Sequence, residues 1–393
     1  MRYKQSNYNI ILNYINDEFE YLTEFLCGER VQFSNKNNQI ITSENCKFNG
    51  DWLQIKWTHY DFDEFKIFFK KMFLQLKTMK IKLSAYLKLH KELVCIDNKK
   101  DFREYGFIKI MLTTDKKEYS NEFPIIYNFS DDLKNQILEY IEYIKKIDYL
   151  SARPSKKLIK NKYPIIFSPQ ASGCFIHEII GHLLEEDFFE FYRNLFNKFR
   201  ISKKLVIYDD IKGFETLIGL NEIDDDGTKI KPLKLLSDGK INNIMAINKY
   251  KSFDKKLYGF SRRENFKNCS FARMRCTSIK PGNDGDLNSI IKKTNNAIFM
   301  YKVNRAYVTP GLDNYTLIGD GFEIKNGIVG NFINKLMING NIVDDLKHVK
   351  YIGSDSKIFV SYCNKLNQLT RVGVYTPTIS LSEVFSIEGD LHG

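Results

Sequence analysis

Residues 163–188 read YPIIFSPQASGCFIHEIIGHLLEEDF. The run Tyr163 to Phe167 reads as a strand, SPQASG as a loop, and the residues that follow as a helix carrying His177, Glu178 and His182. The texture of the chain changes around this unit. Before it, helical and strand-like segments alternate. Beyond about residue 200 there is little helical periodicity, and Gly, Asp and Asn punctuate short strand-like pieces such as LVIYDD, NAIFMYKV and KIFVSYC.

Working outward, SARPSKKLIKNK (151–162) is polar, basic and contains proline, and is the expected linker. On its N-terminal side the spacing predicts a helix over 7–26 (Ile10, Ile11, Tyr14, Ile15, Phe19, Leu22), a second over 61–77, and a third over 130–148 that Ser130 would cap. Residues 79–89 alternate apolar and polar, which predicts a strand at a sheet edge with its lysines toward water. On the C-terminal side SDGKI (237–241) and KNGIV (325–329) look like hairpins. The expected fold class is α+β. An N-terminal α+β domain would occupy 1–152, and a mostly β, barrel-like domain carrying one metal-binding helix would occupy 160–393.

Composition limits the rest. With 393 residues, 43% hydrophobic and 14% aromatic, the chain has material for two buried cores. The net charge of +11, 59 basic against 48 acidic residues, is spread among acids with no dense basic block. It argues against a dedicated nucleic-acid surface and leaves a mild attraction for acidic partners. The cysteines (Cys27, Cys46, Cys95, Cys174, Cys269, Cys276, Cys363) are odd in number, irregularly spaced and without a CxxC pair, so they are not a disulfide framework. Asn, Asp and Glu interrupt the N-terminus before a signal-peptide core forms, and no run of about 18 apolar residues occurs. A soluble, cytoplasmic protein is expected, with no membrane contact.

Metal-assisted hydrolysis of a peptide needs a metal with an open position and a base for the attacking water. His177 and His182 offer neutral nitrogen ligands, and Glu178 a carboxylate that can take a proton without binding the metal. Their spacing is awkward. In a regular helix, residues four apart differ by about 40° and share a face, whereas residues five apart differ by about 140° and splay. A π-type turn would realign them, and Gly181 is a plausible place for it because glycine tolerates unusual backbone conformations. The competing reading is two core histidines on an apolar helix. Cys174, three residues before His177, is a weak rival for a third ligand, and Glu185 and Asp187 either orient a ligand from outside or merely solvate the helix.

Three blocks carry a family resemblance. HEIIGHLLEEDF (177–188) is similar to the HExxGHxLExDF signature of the TldD branch of the TldD/PmbA metalloproteases. YGFSRRENFKNCSFARMRCTSIKPG (258–282) is similar to that family's Gly-Arg-Arg-Glu block and the element after it. CNKLNQLTRVGVYTPTISLSEVFSIEG (363–389) resembles its C-terminal block. The N-terminal half shows little match, and Leu183 and Glu186 stand where the family has glycine. The resemblance implies one zinc per chain, with Cys363 as third ligand beside His177 and His182, and Glu178 as base; on its own, Cys363 reads as a small buried strand residue. Arg262 and Arg263 match paired arginines that either hold substrate or form structural ion pairs. The implied activity is hydrolysis of unfolded or short peptides in a cleft that the N-terminal domain helps enclose, removal of a leader from a modified peptide natural product being one form. The implied partner is a TldE/PmbA-like paralogue without the metal motif, in a heterodimer, with a homodimer second. The alternative is a non-catalytic peptide-binding or partner subunit.

Overall fold

The first third of the chain builds one antiparallel sheet backed by two helices. A computed structural model describes residues 2–32, 40–44, 62–115, 117–125, 129–189, 191, 201–247, 257–308 and 312–392. Strands β1 (Arg2–Ile15), β2 (Glu18–Gln32), β3 (Ile40–Glu44), β4 (Lys82–Ile96), β5 (Lys99–Thr113) and β6 (Glu118–Ile125) lie in the order β3-β2-β1-β4-β5-β6. Helices α1 (Phe62–Lys77) and α2 (Asp131–Ser151) bring Phe65, Phe69, Ile137 and Ile141 into one core with Leu83, Leu87, Ile108 and Ile110 of the sheet. Ser130 caps α2 as expected, its Oγ accepting the Leu133 N–H at 3.2 Å.

Three expectations are corrected here. The expected helix over 7–26 is the β1–β2 hairpin, in which Ile15 pairs with Glu18. Asn16 and Asp17 both take positive φ, 52° and 71°, the conformation of a two-residue type I′ turn. Strand β4 is not an edge, because it pairs with both β1 and β5. Its polar alternates lie on the sheet face that also carries Tyr105 and Phe107, against which Arg371 and Tyr362 of the C-terminal half pack. The expected linker contracts to residues 152–154, since Ser155 already begins a strand.

The rest of the chain supplies β7 (Ser155–Phe167), β8 (Ile207–Asp209), β9 (Leu233–Ser237), β10 (Lys240–Ile241), β11 (Ser261–Arg262), β12 (Phe271–Ala272) and β13 (Cys276–Ile279). It continues with β14 (Asn296–Val308), β15 (Asn314–Lys325), β16 (Ile328–Asn341), β17 (Val349–Ile352), β18 (Lys357–Lys365), β19 (Gln368–Thr376) and β20 (Ile379–His392). One sheet runs β16-β15-β14-β7-β20-β17, and an added β16–β20 pairing closes β7, β14, β15, β16 and β20 into a barrel. The other runs β10-β9-β8-β13-β19-β18. Both expected hairpins form, with Asp238-Gly239 and Asn326-Gly327 at positive φ.

Helix α3 (Pro169–Ile176) leaves the end of β7 and packs against both sheets. The stretch expected as a loop is its first turn: Ser168 Oγ accepts the Ala171 N–H at 3.1 Å, and Pro169 occupies a position that needs no N–H donor. Ala171, Phe175, Ile176, Ile179, Ile180, Leu183 and Leu184 are all fully buried. A segment apolar on every side is one surrounded on every side. Among the described residues no helix is long and apolar enough to cross a membrane.

Candidate metal centre

Beyond α3 the backbone changes pitch. Residues His177–Gly181 form a π-turn, and the His182 N–H reaches back five residues to the His177 carbonyl. The expected distortion is present. It turns the two imidazoles toward each other, with ring centroids 4.9 Å apart and planes at 84°. Gly181 has a different reason from the one expected. Its backbone is ordinary helix (φ −57°, ψ −63°), but a Cβ there would meet Met274 Sδ at 1.7 Å.

Strand β18 brings in the third donor. Cys363 is buried, and its Sγ lies 3.4 Å from His182 Nε2. One donor atom from each of His177, His182 and Cys363 falls within 4.8 Å of the others. A tetrahedral zinc with Zn–N of about 2.05 Å and Zn–S of about 2.3 Å separates such a nitrogen and sulfur by about 3.5 Å, so the donor set fits that metal. Burial alone would raise the Cys363 thiol, but hydrogen bonds and charge from His177 and His182 bring it down to about 5, favouring the thiolate a metal needs. Cys174 goes the other way, pushed up to about 12 by burial and the nearby Glu178 carboxylate.

Glu178 is half-buried beside the cluster; burial raises its pKa, and the two imidazoles pull it part of the way back. Glu185 lies behind His182, with Oε2 2.9 Å from Nδ1. Its Oε1 accepts the Met274 N–H at 3.1 Å. Arg273 Nη2 donates to the Cys363 carbonyl at 2.6 Å and Lys365 Nζ to Glu185 Oε2 at 2.7 Å, so charged side chains fix both strand and helix. Sequence reasoning missed Arg273, Met274 and Lys365. Only the place of Lys365, two positions from Cys363 on a strand and hence on the same face, was available as a signal.

Arg262 and Arg263 are buried, and their hydrogen bonds go to other parts of the chain. Arg262 Nη1 donates to the Arg371 carbonyl at 3.2 Å. Arg263 Nη2 donates to the Asp225 carbonyl at 2.8 Å and to Asp226 Oδ1 at 2.9 Å. Of the other histidines, His90 stacks on Tyr105, His348 lies 3.3 Å from Glu383 and His392 Nδ1 lies 2.9 Å from the Arg153 carbonyl. His59 is outside the described residues.

A barrel and a second sheet thus pack against one helix, at whose end two histidines and a distant cysteine converge as a candidate metal site. The PmbA/TldA metallopeptidase C-terminal domain matches residues 160–387, more than half of the chain, and the chain belongs to the TldD/PmbA family. It is 24% identical over 279 residues to the zinc metalloprotease TldD homolog of Saccharolobus solfataricus, covering 67% of this chain and 62% of that one. It is 27% identical over 230 residues to a metalloprotease of Methanocaldococcus jannaschii, covering 57% and 50%. The chain thus spans less than two thirds of the length of either relative. In structure it is similar to TldE from Thermococcus kodakarensis, with a TM-score of 0.72 over 98% of this chain and 96% of that one; at 13% identity the likeness is one of fold.

Proposed function

We propose that the chain is a zinc-dependent peptidase acting on unfolded or short peptides, with His177, His182 and Cys363 as metal ligands and Glu178 as the base. The observation that carries this is the convergence of three donor atoms within 4.8 Å, two of them on a π-turn of the kind that recurs at functional sites. Zinc held there would supply Lewis acidity toward the scissile carbonyl and lower the pKa of water. Glu178 accepts the proton of the attacking water and returns it to the leaving amine. Of the two readings open for Arg262 and Arg263, their internal hydrogen bonds support the structural one.

The division into a 1–152 domain and a 160–393 domain is part of the same proposal, with the N-terminal sheet as one wall of the cleft. Its support is the packing beside the strand that carries Cys363: Tyr105 Oη lies 3.1 Å from Tyr362 Oη, and the Phe107 and Tyr362 rings meet edge-on. A TldE/PmbA-like partner, trimming of a peptide natural product and a cytoplasmic setting belong to the proposal too. Reducing conditions suit Cys363 as a thiolate ligand.

Glu178→Ala is the test. It should keep metal and peptide binding and lose cleavage by at least about 100-fold. A wild type that binds peptide with the partner present yet never cuts it would favour the peptide-binding subunit instead.

A further inference from the structure

We propose that Lys365 is a positioning residue of the metal centre, a buried cation that holds Glu185 against His182 and thereby fixes the imidazole that presents Nε2 to the metal. The inference rests on the metal-site reading above. Lys365 is only 4% exposed. Its ammonium spends all three hydrogens, on Glu185 Oε2 at 2.7 Å, Asp187 Oδ1 at 2.7 Å and the Ala272 carbonyl at 3.0 Å. The Phe188 ring closes over it, 4.5 Å from Nζ.

Glu185 Oε2 is thus shared between the Lys365 ammonium and His182 Nδ1, the latter at 2.9 Å. A carboxylate in that position keeps the ring proton on Nδ1 and leaves Nε2 as a free donor facing Cys363. Without the ammonium, Glu185 Oε2 would keep His182 Nδ1 as its one hydrogen-bond partner and the carboxylate would be free to rotate off it. That rotation lets the His182 ring turn.

The topology ties this to the ligand set. Cys363 and Lys365 alternate onto one face of β18, and Glu185 follows His182 by three residues. One strand therefore supplies a thiolate to the metal and an ammonium to the carboxylate behind the opposite ligand. A slip of one residue in β18 would remove both.

The experiment titrates the full chain with Co²⁺ against a chromophoric chelator and follows the cysteine-to-cobalt charge-transfer absorption. Wild type is compared with Lys365→Met, Glu185→Gln and the double variant. Lys365→Met should weaken cobalt affinity by about 10–100-fold and alter the charge-transfer band. The double variant should be no weaker than the weaker single one, because Lys365 acts through Glu185. If Lys365→Met does not fold, Glu185→Gln carries the test and should show the same loss. Wild-type affinity and spectrum in the variant that is read, or losses that multiply in the double variant, would overturn the inference alone. A wild type that takes up no cobalt would overturn the metal-site reading and this one with it.

Discussion

A methyl group on Gly181 would sit 1.7 Å from Met274 Sδ, so the residue inside the π-turn is small for packing and not for backbone freedom. Gly181→Ala should destabilise the protein by about 1–3 kcal/mol in urea unfolding, and Met274→Ala in the same chain should recover part of the loss. A neutral Gly181→Ala would mean that Met274 simply moves aside. The sequence makes His177, Glu178 and His182 legible because they fall within six residues. Cys363 lies 181 positions from His182, a separation at which spacing carries no information, and only a resemblance pointed to it. Arg273 and Lys365 were illegible for another reason. A charged residue reads as solvated, and nothing local says that another element brings Arg273 the Cys363 carbonyl and Lys365 the Glu185 carboxylate.

Among the elements, those with strong local chemistry were legible. Helix α2 with its serine cap and the Asp238-Gly239 and Asn326-Gly327 hairpins follow from a few residues each. The β1–β2 hairpin was missed because its apolar residues fit both periods, and the Asn16-Asp17 pair that decides between them is a weaker turn signal than Asn-Gly. The placement of β4 depended on β1, which comes from the other end of the domain sequence. Ser168 belongs to the legible class once the helix start is known. Its Oγ accepts the Ala171 N–H and donates to the Tyr301 carbonyl. Ser168→Ala should cost about 1–2 kcal/mol by thermal or urea unfolding; no measurable change would show that water or a shifted turn replaces the cap.

Across the whole molecule, the buried Arg103 is one of the groups that tie the N-terminal sheet to the C-terminal half. Arg103 meets Asp225 Oδ1 at 2.6 Å, Asp101 Oδ2 at 2.8 Å and the Ile223 carbonyl at 2.9 Å. Arg103→Met takes their shared guanidinium from buried Asp101 and Asp225, of which Asp225 keeps the charges of Arg262 and Arg263, and should cost about 3 kcal/mol, with earlier proteolysis between the two halves; a variant as stable as wild type would show that the remaining contacts suffice to dock the sheet. The same face holds His90, whose pKa burial, Lys88, Arg371 and Arg103 lower from 6.5 to about 3. The unfolded chain therefore binds a proton that the folded one refuses. The stability that depends on a neutral His90 is present above pH 6.5 and is lost as pH falls toward 3. His90→Gln should flatten the stability–pH curve in that window by up to about 1.4 kcal/mol per pH unit, and an unchanged slope would contradict the assignment.

Metal content per chain tests the central claim most directly, measured by elemental analysis on wild type, His177→Ala and Cys363→Ala. About one zinc per chain in wild type, lost or sharply reduced in both variants, is predicted, because the π-turn and the strand 181 residues away are held to form one site. Full metal in Cys363→Ala, or almost none in wild type after zinc reconstitution with the partner present, would contradict it.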